Sequence, residues 1–342
     1  VSFTPVSPGA RKRVKVIGAL VGVLVVLVIA GVVALKVVNS SRTPEAEVRK
    51  YLDLLASGQA SAATAMVDPG VSNDQRSFLT DDVMASATSL LVVEDVVADK
   101  NDDSDRRTVT ATMQVNGERF THSFVVTADK ATMGVLDNWK IRDSLAVPVT
   151  VDGDGIGQFS VGDTKASIDK ASFFMEGRSF LFYPGAYNFT PVVPNEYVDA
   201  TPVPVSVLDD VRTAGGDGAS DVTFKATYND KLEAAALEAA QALVESCGTY
   251  PGNQGDDCSS LIQGDHVTAI SIKEMPTSLD SYSFDPTSFS GSVTYTVTTE
   301  GTLFAGTRDV GLTVKVDARF DDDGMLMMTA DGKPDFRVSF AF

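Results

Sequence analysis

Residues 16–35 (VIGALVGVLVVLVIAGVVAL, from Val16 to Leu35) are twenty consecutive positions without a charge or a hydrogen-bonding side chain. At about 1.5 Å of rise per residue, a helix of that length covers the roughly 30 Å hydrocarbon core of a bilayer. The sequence therefore predicts a transmembrane helix over 16–38, which divides the chain between two compartments. Arg11, Lys12, Arg13 and Lys15 lie directly before the run, and Lys36 and Arg42 follow it. Short basic flanks stay cytoplasmic, so residues 1–15 are expected inside and the long C-terminal part outside, at the plasma membrane. The competing reading is a cleaved signal peptide, whose apolar core usually runs about 7–15 residues and ends in a small-x-small site. Here the core is longer and is followed by Lys36-Val37-Val38-Asn39-Ser40. Gly18 and Gly22 form a G-x-x-x-G that could pack two such helices, although glycine is common in spans.

Charge is lopsided about that run. No Asp or Glu precedes Glu45, and five of the 28 Lys and Arg residues precede Asn39. Residues 39–342 thus carry 23 bases against all 46 acids, a net charge of −23. Such a surface repels nucleic acid and anionic lipid headgroups, and no nucleic-acid partner is expected; it favours cations or basic partners, or serves solubility alone. Roughly 300 residues outside the membrane suffice for two or three domains. The two cysteines, Cys247 and Cys258, stand eleven residues apart in the extracytoplasmic part and are expected to form one disulfide around GTYPGNQGDD.

Thr43-Pro44-Glu45 is a helix start: a capping hydroxyl, proline at the first helical position, and an acid at the positive end of the dipole. Val48, Tyr51, Leu52 and Leu55 follow as one apolar stripe ending at Gly58. A second helix is expected from about Ala60 to Val67 and a third from Thr80. The period then changes to two, with strands at 90–98, 108–115 and 118–127, the last two flanking the hairpin signal Asn116-Gly117. A further strand carries Trp139-Lys140-Ile141. Helices followed by an antiparallel meander predict an α+β layer over 43–144.

TPEAEVRKYLDLLASGQASAATAMV, followed later by a hairpin and NWKIRD, resembles the nuclear-transport-factor-2-like (cystatin-like) fold, in which helices occupy the concave face of a bent sheet. The segment is similar to domains found directly outside the single span of bacterial surface proteins, penicillin-binding proteins and TcaA-like cell-wall-associated proteins among them. The resemblance implies a cone-shaped α+β fold, on which enzymes and inert modules both occur. Residues 145–212, punctuated by proline and glycine, read as a small all-β module, and Tyr183-Pro184-Gly185-Ala186-Tyr187 is similar to the turn-and-strand of TcaA-like β-domains. Residues 213–220 (TAGGDGAS) read as a linker. Residues 221–342 repeat the α-then-β order. Asn229 caps a helix with Leu232, Ala236, Ala239 and Leu243 on one face, and strands follow near 266–275, 289–299, 310–320, 325–330 and 336–342.

Candidate chemistry is sparse. Ser167-Ile168-Asp169-Lys170 matches S-x-x-K, but the S-x-N and K-T-G partners that such serine enzymes need occur nowhere in the chain. Asp152, Asp154, Gly157 and Asp163 fall at positions one, three, six and twelve of an EF-hand register. Position five is Ile156 and position twelve lacks the bidentate Glu, so a solvated hairpin turn is expected instead. Asp321-Asp322-Asp323 reads as a solvated turn with Gly324 completing it. His122 reads as a strand-surface residue and Trp139 as packing. His266 lies in a different domain from His122, which leaves no histidine pair for a metal. Dinucleotide, P-loop, zincin and nucleophile-elbow motifs are lacking.

The fold expected is therefore a transmembrane helix, an α+β cone, a small β-module and a C-terminal α+β domain with a disulfide. The function expected is a non-catalytic cell-envelope protein that binds a protein partner or a cell-wall component, with no catalytic residue, cofactor or metal site. The alternative is an enzyme or small-ligand binder using a pocket in the first α+β domain. A cone plugged by Met66, Met84 and leucine side chains would count against that alternative.

Overall fold

The computed structural model describes residues 27–28, 30, 42–99, 105–129, 138–168, 177–209, 211–213, 221–282, 284–301 and 305–341. Of the expected span, Leu27, Val28 and Ala30 are described, helical and exposed; the remainder, with Arg11, Lys12, Arg13 and Lys15, lies outside the described residues. Among the described residues no helix is long and apolar enough to cross a membrane. The described chain is α+β, with four α-helices among several sheets. It divides into two compact units: Val1–Pro148 with Phe180–Tyr187 and Ser206–Arg212, and Val149–Ser179 with Asn188–Val205 and Thr213–Phe342. Residues 145–212, expected as one β-module, are thus shared between the units. The reason is burial: Leu181, Tyr183, Ala186 and Leu208 join the hydrophobic cluster of the first unit. Of the expected linker, 214–220 lies outside the described residues.

In the first unit, α1 (Pro44–Ala56) begins where Thr43 Oγ1 accepts the Ala46 amide at 3.2 Å, with proline at the start and Glu45 and Glu47 in the first turn. Val48, Tyr51, Leu52 and Leu55 form its buried stripe, as expected from their spacing. The short α2 (Ala60–Met66) and α3 (Asp81–Ala85) follow, the latter capped by Thr80. Strands Val92–Ala98, Arg106–Val115, Glu118–Ala128 and Trp139–Ile141 then pair antiparallel in sequence order. Asn116 (φ 50°) and Gly117 (φ 82°) make the tight turn that sets Val115 opposite Glu118. Only a residue tolerant of left-handed backbone fits either position, which is why this dipeptide marks hairpins. The strand expected over 90–98 is interrupted at the buried Leu91: Ser89–Leu90 pairs with Gly185 and Ala186, and Val92–Ala98 pairs with Arg106–Val115.

The stripe of α1 shares one buried cluster with Met84, Val109, Met113, Phe120, Phe124 and Val126. Tyr51 meets Phe124 edge-on at 6.0 Å, and its hydroxyl accepts the Leu145 amide at 3.1 Å and lies 3.4 Å from Ser144 Oγ. Nearby, Tyr183 and Thr64 hydroxyls bond at 2.8 Å, and Tyr187 Oη donates to the Tyr183 carbonyl at 2.9 Å.

In the second unit, strand residues Val151 to Asp154 pair in parallel with Val222–Lys225. Gln158–Val161 pairs antiparallel with Thr164–Ser167 on one side and with Phe189, Thr190 and Pro191 on the other. Phe159 packs between Phe189 and Phe224, ring centres 5.7 and 6.1 Å away. Helix α4 (Asp230–Cys247) starts at Asn229, whose side chain accepts the Lys231 amide. Its buried residues are Leu232, Ala236, Ala240, Val244 and Cys247, a correction to the expected Ala239 and Leu243, which are half-buried. The contact follows the i, i+4 row, which runs obliquely to the helix axis, so the buried line drifts around the helix over four turns.

Behind α4, strands Val267–Glu274, Asp285–Thr299, Gly306–Ala318 and Phe336–Ala341 form an antiparallel sheet in that order. Val293, Tyr295 and Val297 alternate inward along one strand and Leu312, Val314 and Val316 along its neighbour. Tyr295 Oη donates to the Val244 carbonyl of α4 at 3.0 Å. The strand expected over 325–330 is instead a pair of isolated bridges, Phe320 to Leu326 and Met328 to Pro334, because turns at Gly324 and Gly332 (φ 76° and 79°) leave no length for a ladder. Cys247 and Cys258 are disulfide-bonded, Cα atoms 5.7 Å apart, and tie the end of α4 to the loop that buries Asn253. Closing a loop of this size removes about 3 kcal/mol of unfolded-state entropy. Cys247→Ser with Cys258→Ser is therefore expected to lower unfolding free energy by about that amount, read as a fall in urea midpoint.

Candidate functional site

Ser167-Ile168 and three further short segments of the second unit line a pocket of about 430 Å³. The first segment is the glycine-rich turn Gly153-Asp154-Gly155-Ile156-Gly157 that joins two strands. Gly153 cannot be replaced without moving the turn, because a Cβ there would sit 2.1 Å from the Ile156 carbonyl oxygen. Gly155 has φ +73°, and a Cβ on it would meet Ala226 at 2.8 Å. The second segment is Val192-Val193-Pro194, held where the Val192 amide donates to the Gln158 carbonyl at 2.9 Å. The third is the 321–325 turn. There the Asp321 carboxylate accepts the amides of Asp323 (3.0 Å) and Met325 (2.9 Å), and the Gly324 amide bonds the Asp321 carbonyl at 3.1 Å.

The pocket wall is apolar over Ile156, Ile168, Val192, Val193, Pro194 and Met325, and among the described residues the polar side chains of Gln158, Ser167 and Asp323 reach it. A few hundred cubic ångströms with apolar walls and isolated polar groups is the usual form of a binding pocket. The chemistry available at its wall is narrow. Ser167 Oγ donates to the Gly157 carbonyl at 3.4 Å, and among the described lining residues the ionisable side chain is Asp323.

The structure brings together parts of motifs that are far apart in sequence. Ser167 of the S-x-x-K tetrapeptide and Gly157 of the EF-hand register share this pocket with Asp323 of the acidic triplet. Lys170 lies outside the described residues. Asp152 and Asp154 are strand residues opposite Thr223 and Lys225, and Asp163 sits at the next turn, so the acids do not converge. Among the described residues no group of three or more His, Cys, Asp or Glu side chains is placed to hold a metal ion. Gln158, Val192, Pro194 and Met325 carry no motif, and only their assembly reveals them.

In the first unit the space between the helices and the sheet is filled. Tyr51, Met84, Met113 and Phe124 are buried there, Met66 and Trp139 pack against the same cluster, and burial pushes the Tyr51 hydroxyl pKa upward. His122 requires a correction. It lies on the inner face of its strand, in step with the buried Phe120 and Phe124, because alternate residues of a strand share a face. Its ring is 4.7 Å from that of Phe124, and its Nε2 is buried without a hydrogen-bond partner. Burial lowers its pKa from the ordinary 6.5, opposed by the carboxylates of Asp209 and Asp143.

Comparison with protein-family models, with curated proteins and with solved structures finds no match for this chain.

The depressed pKa of His122 has a defined sign in stability. Below pH 6.5 the unfolded chain takes up a proton that the folded chain refuses, so stability falls as the pH drops through the folded value. His122→Phe is expected to flatten the decline in urea midpoint between neutral and mildly acidic buffer. An unchanged decline in the variant would assign it to other groups.

Proposed function

We propose that this chain is a membrane-anchored, extracytoplasmic binding protein of the bacterial cell envelope, with residues 16–38 as its span and the basic residues before Val16 on the cytoplasmic side. The observation that carries the binding assignment is the second-unit pocket: about 430 Å³, with apolar walls and the polar side chains of Gln158, Ser167 and Asp323. Asp323 at its wall and the net charge of −23 on residues 39–342 favour an occupant that joins an apolar segment to a basic group. A partner protein can present such a segment, and so can a peptide of the cell wall. The helices-then-meander order of the first unit supports reading it as a nuclear-transport-factor-2-like module. Its filled interior favours a supporting role over a ligand cavity there.

Gly157→Leu tests the pocket cleanly. A Cβ on Gly157 meets nothing nearer than Met325 Cε and Sδ at 3.7 and 3.8 Å, so a side chain there enters the pocket without displacing backbone. Full-length protein in detergent would be incubated with purified cell-wall sacculi and, separately, with a solubilised membrane-protein fraction. Salt-resistant retention by one of them, falling at least several-fold in Gly157→Leu, is the expected outcome, and the retaining fraction identifies the partner class. Retention by neither, or retention indifferent to the substitution, would overturn the assignment.

A further inference from the structure

Charge at the pocket of the second unit is unbalanced. Between Val316 and Phe336 the chain has two bases, Arg319 and Lys333, and both are committed, Arg319 to Asp335 at 3.0 Å and Lys333 to Glu238 at 2.7 Å. Lys231 is likewise taken by Glu196, just beyond Pro194 of the pocket wall, at 2.7 Å. Asp321 is committed within its own turn, its carboxylate accepting the Asp323 and Met325 amides. Asp323 differs. It lines the pocket, and among the described residues no hydrogen bond or ion pair engages its carboxylate.

Gly157 supplies a second, independent observation. Gly153 and Gly155 of the same turn are demanded by the fold, but Gly157 is not: its φ lies outside the left-handed range, and a Cβ would meet only Met325 Cε and Sδ, at 3.7 and 3.8 Å. A glycine that neither backbone nor neighbours require lets a ligand approach the main chain closely. An alkyl chain laid across Gly157 meets the Met325 thioether, which adapts to irregular apolar shapes, and Asp323 stands two residues away for a cation at the end of that chain. An arginine side chain has this form, an apolar stem ending in a planar fork of N–H donors that matches a carboxylate. Lysine, a strongly hydrated point charge, gains less beside a partly apolar wall. Ile156, Val192 and Val193 leave apolar surface for an aliphatic neighbour, and Gln158 offers an amide to its peptide unit. We propose that the pocket selects an arginine beside an aliphatic residue in an extended segment of a partner protein, with Asp323 as the specificity-determining residue and Gly157 as the platform for the arginine stem. The proposal deepens the binding reading above and depends on it. Charge complementarity supports this occupant, since residues 39–342 carry a net charge of −23.

Full-length protein in detergent would be titrated into two fluorescein-labelled peptides, Ala-Leu-Arg-Leu-Ala and the same peptide with citrulline, which keeps the shape of arginine without its charge. Fluorescence anisotropy is expected to show the arginine peptide bound about tenfold more tightly, the usual scale for a hydrogen bond to a charged group. Asp323→Asn should bring the two affinities together by weakening the arginine peptide alone. Asp322→Asn, which removes the same charge one residue from the pocket lining, should leave the preference standing. Equal affinity of the two peptides for the unaltered protein, binding of neither, or a preference lost equally in Asp322→Asn would overturn the proposal. A stem peptide released from the cell wall that binds more tightly than the arginine peptide would also overturn it, by placing the occupant in the wall. Gly157→Leu separates the two levels of assignment. Peptides bound equally and both blocked by that substitution refute only the selection of arginine, whereas binding indifferent to it refutes the pocket as the binding site.

Discussion

A phenol buried completely must still satisfy its hydroxyl, and both units are held in register by that requirement. In the first unit Tyr51 leaves α1, passes Phe124 of the sheet, and ends against the Leu145 amide and Ser144. One side chain thereby fixes the helix, the sheet and the chain segment leaving it. In the second unit the direction reverses: Tyr295 leaves the sheet and ends on the Val244 carbonyl of α4. Apolar contact alone would allow either helix to slide along its sheet at modest cost. A hydrogen bond deep in a core does not, since a shifted helix would strand a polar atom at roughly 1–3 kcal/mol.

The small residues of α4 follow from the same arrangement. Ala236 and Ala240 bring the helix axis close to the strands, near enough for the Tyr295 hydroxyl to reach backbone. At the end of the helix Gly248 has no space for a Cβ, which would lie 2.6 Å from Ile272, and the disulfide one residue earlier holds the departing chain. The turn regions are organised differently, by side chains that replace water on exposed amides. Asp321 accepting two amides within its own turn is the clearest case, and it frees Asp323 to face the pocket.

Local features were legible in the sequence where one strong rule governs a short stretch. The capped start of α1, its buried stripe and the Asn116-Gly117 turn are of that kind. The face of α4 was less so, because Ala234, Ala235, Ala236, Ala239, Ala240 and Ala242 surround the helix with residues equally acceptable in or out. The sharing of residues 145–212 between units had no local signal at all. The continuous apolar run Phe180-Leu181-Phe182-Tyr183 marks a buried stretch but does not say which core receives Leu181 and Tyr183. His122 was misjudged by its polar neighbours Thr121 and Ser123, although counting by two from Phe120 and Phe124 points it inward. The pocket was invisible for a geometric reason, since its walls are glycine backbone and unremarkable apolar residues from four separate segments.

Distance along the chain also governs when the pocket can form. Residues 153–168 leave the ribosome long before 321–325, yet the pocket exists only when both are in place. Translation therefore yields the first unit's helices and hairpin early and the finished pocket last. A nascent chain interrupted before Met325 would have a complete Tyr51 core and no finished pocket. Such a product would pass any surveillance that senses exposed apolar surface in the first unit, while lacking the pocket we assign to binding.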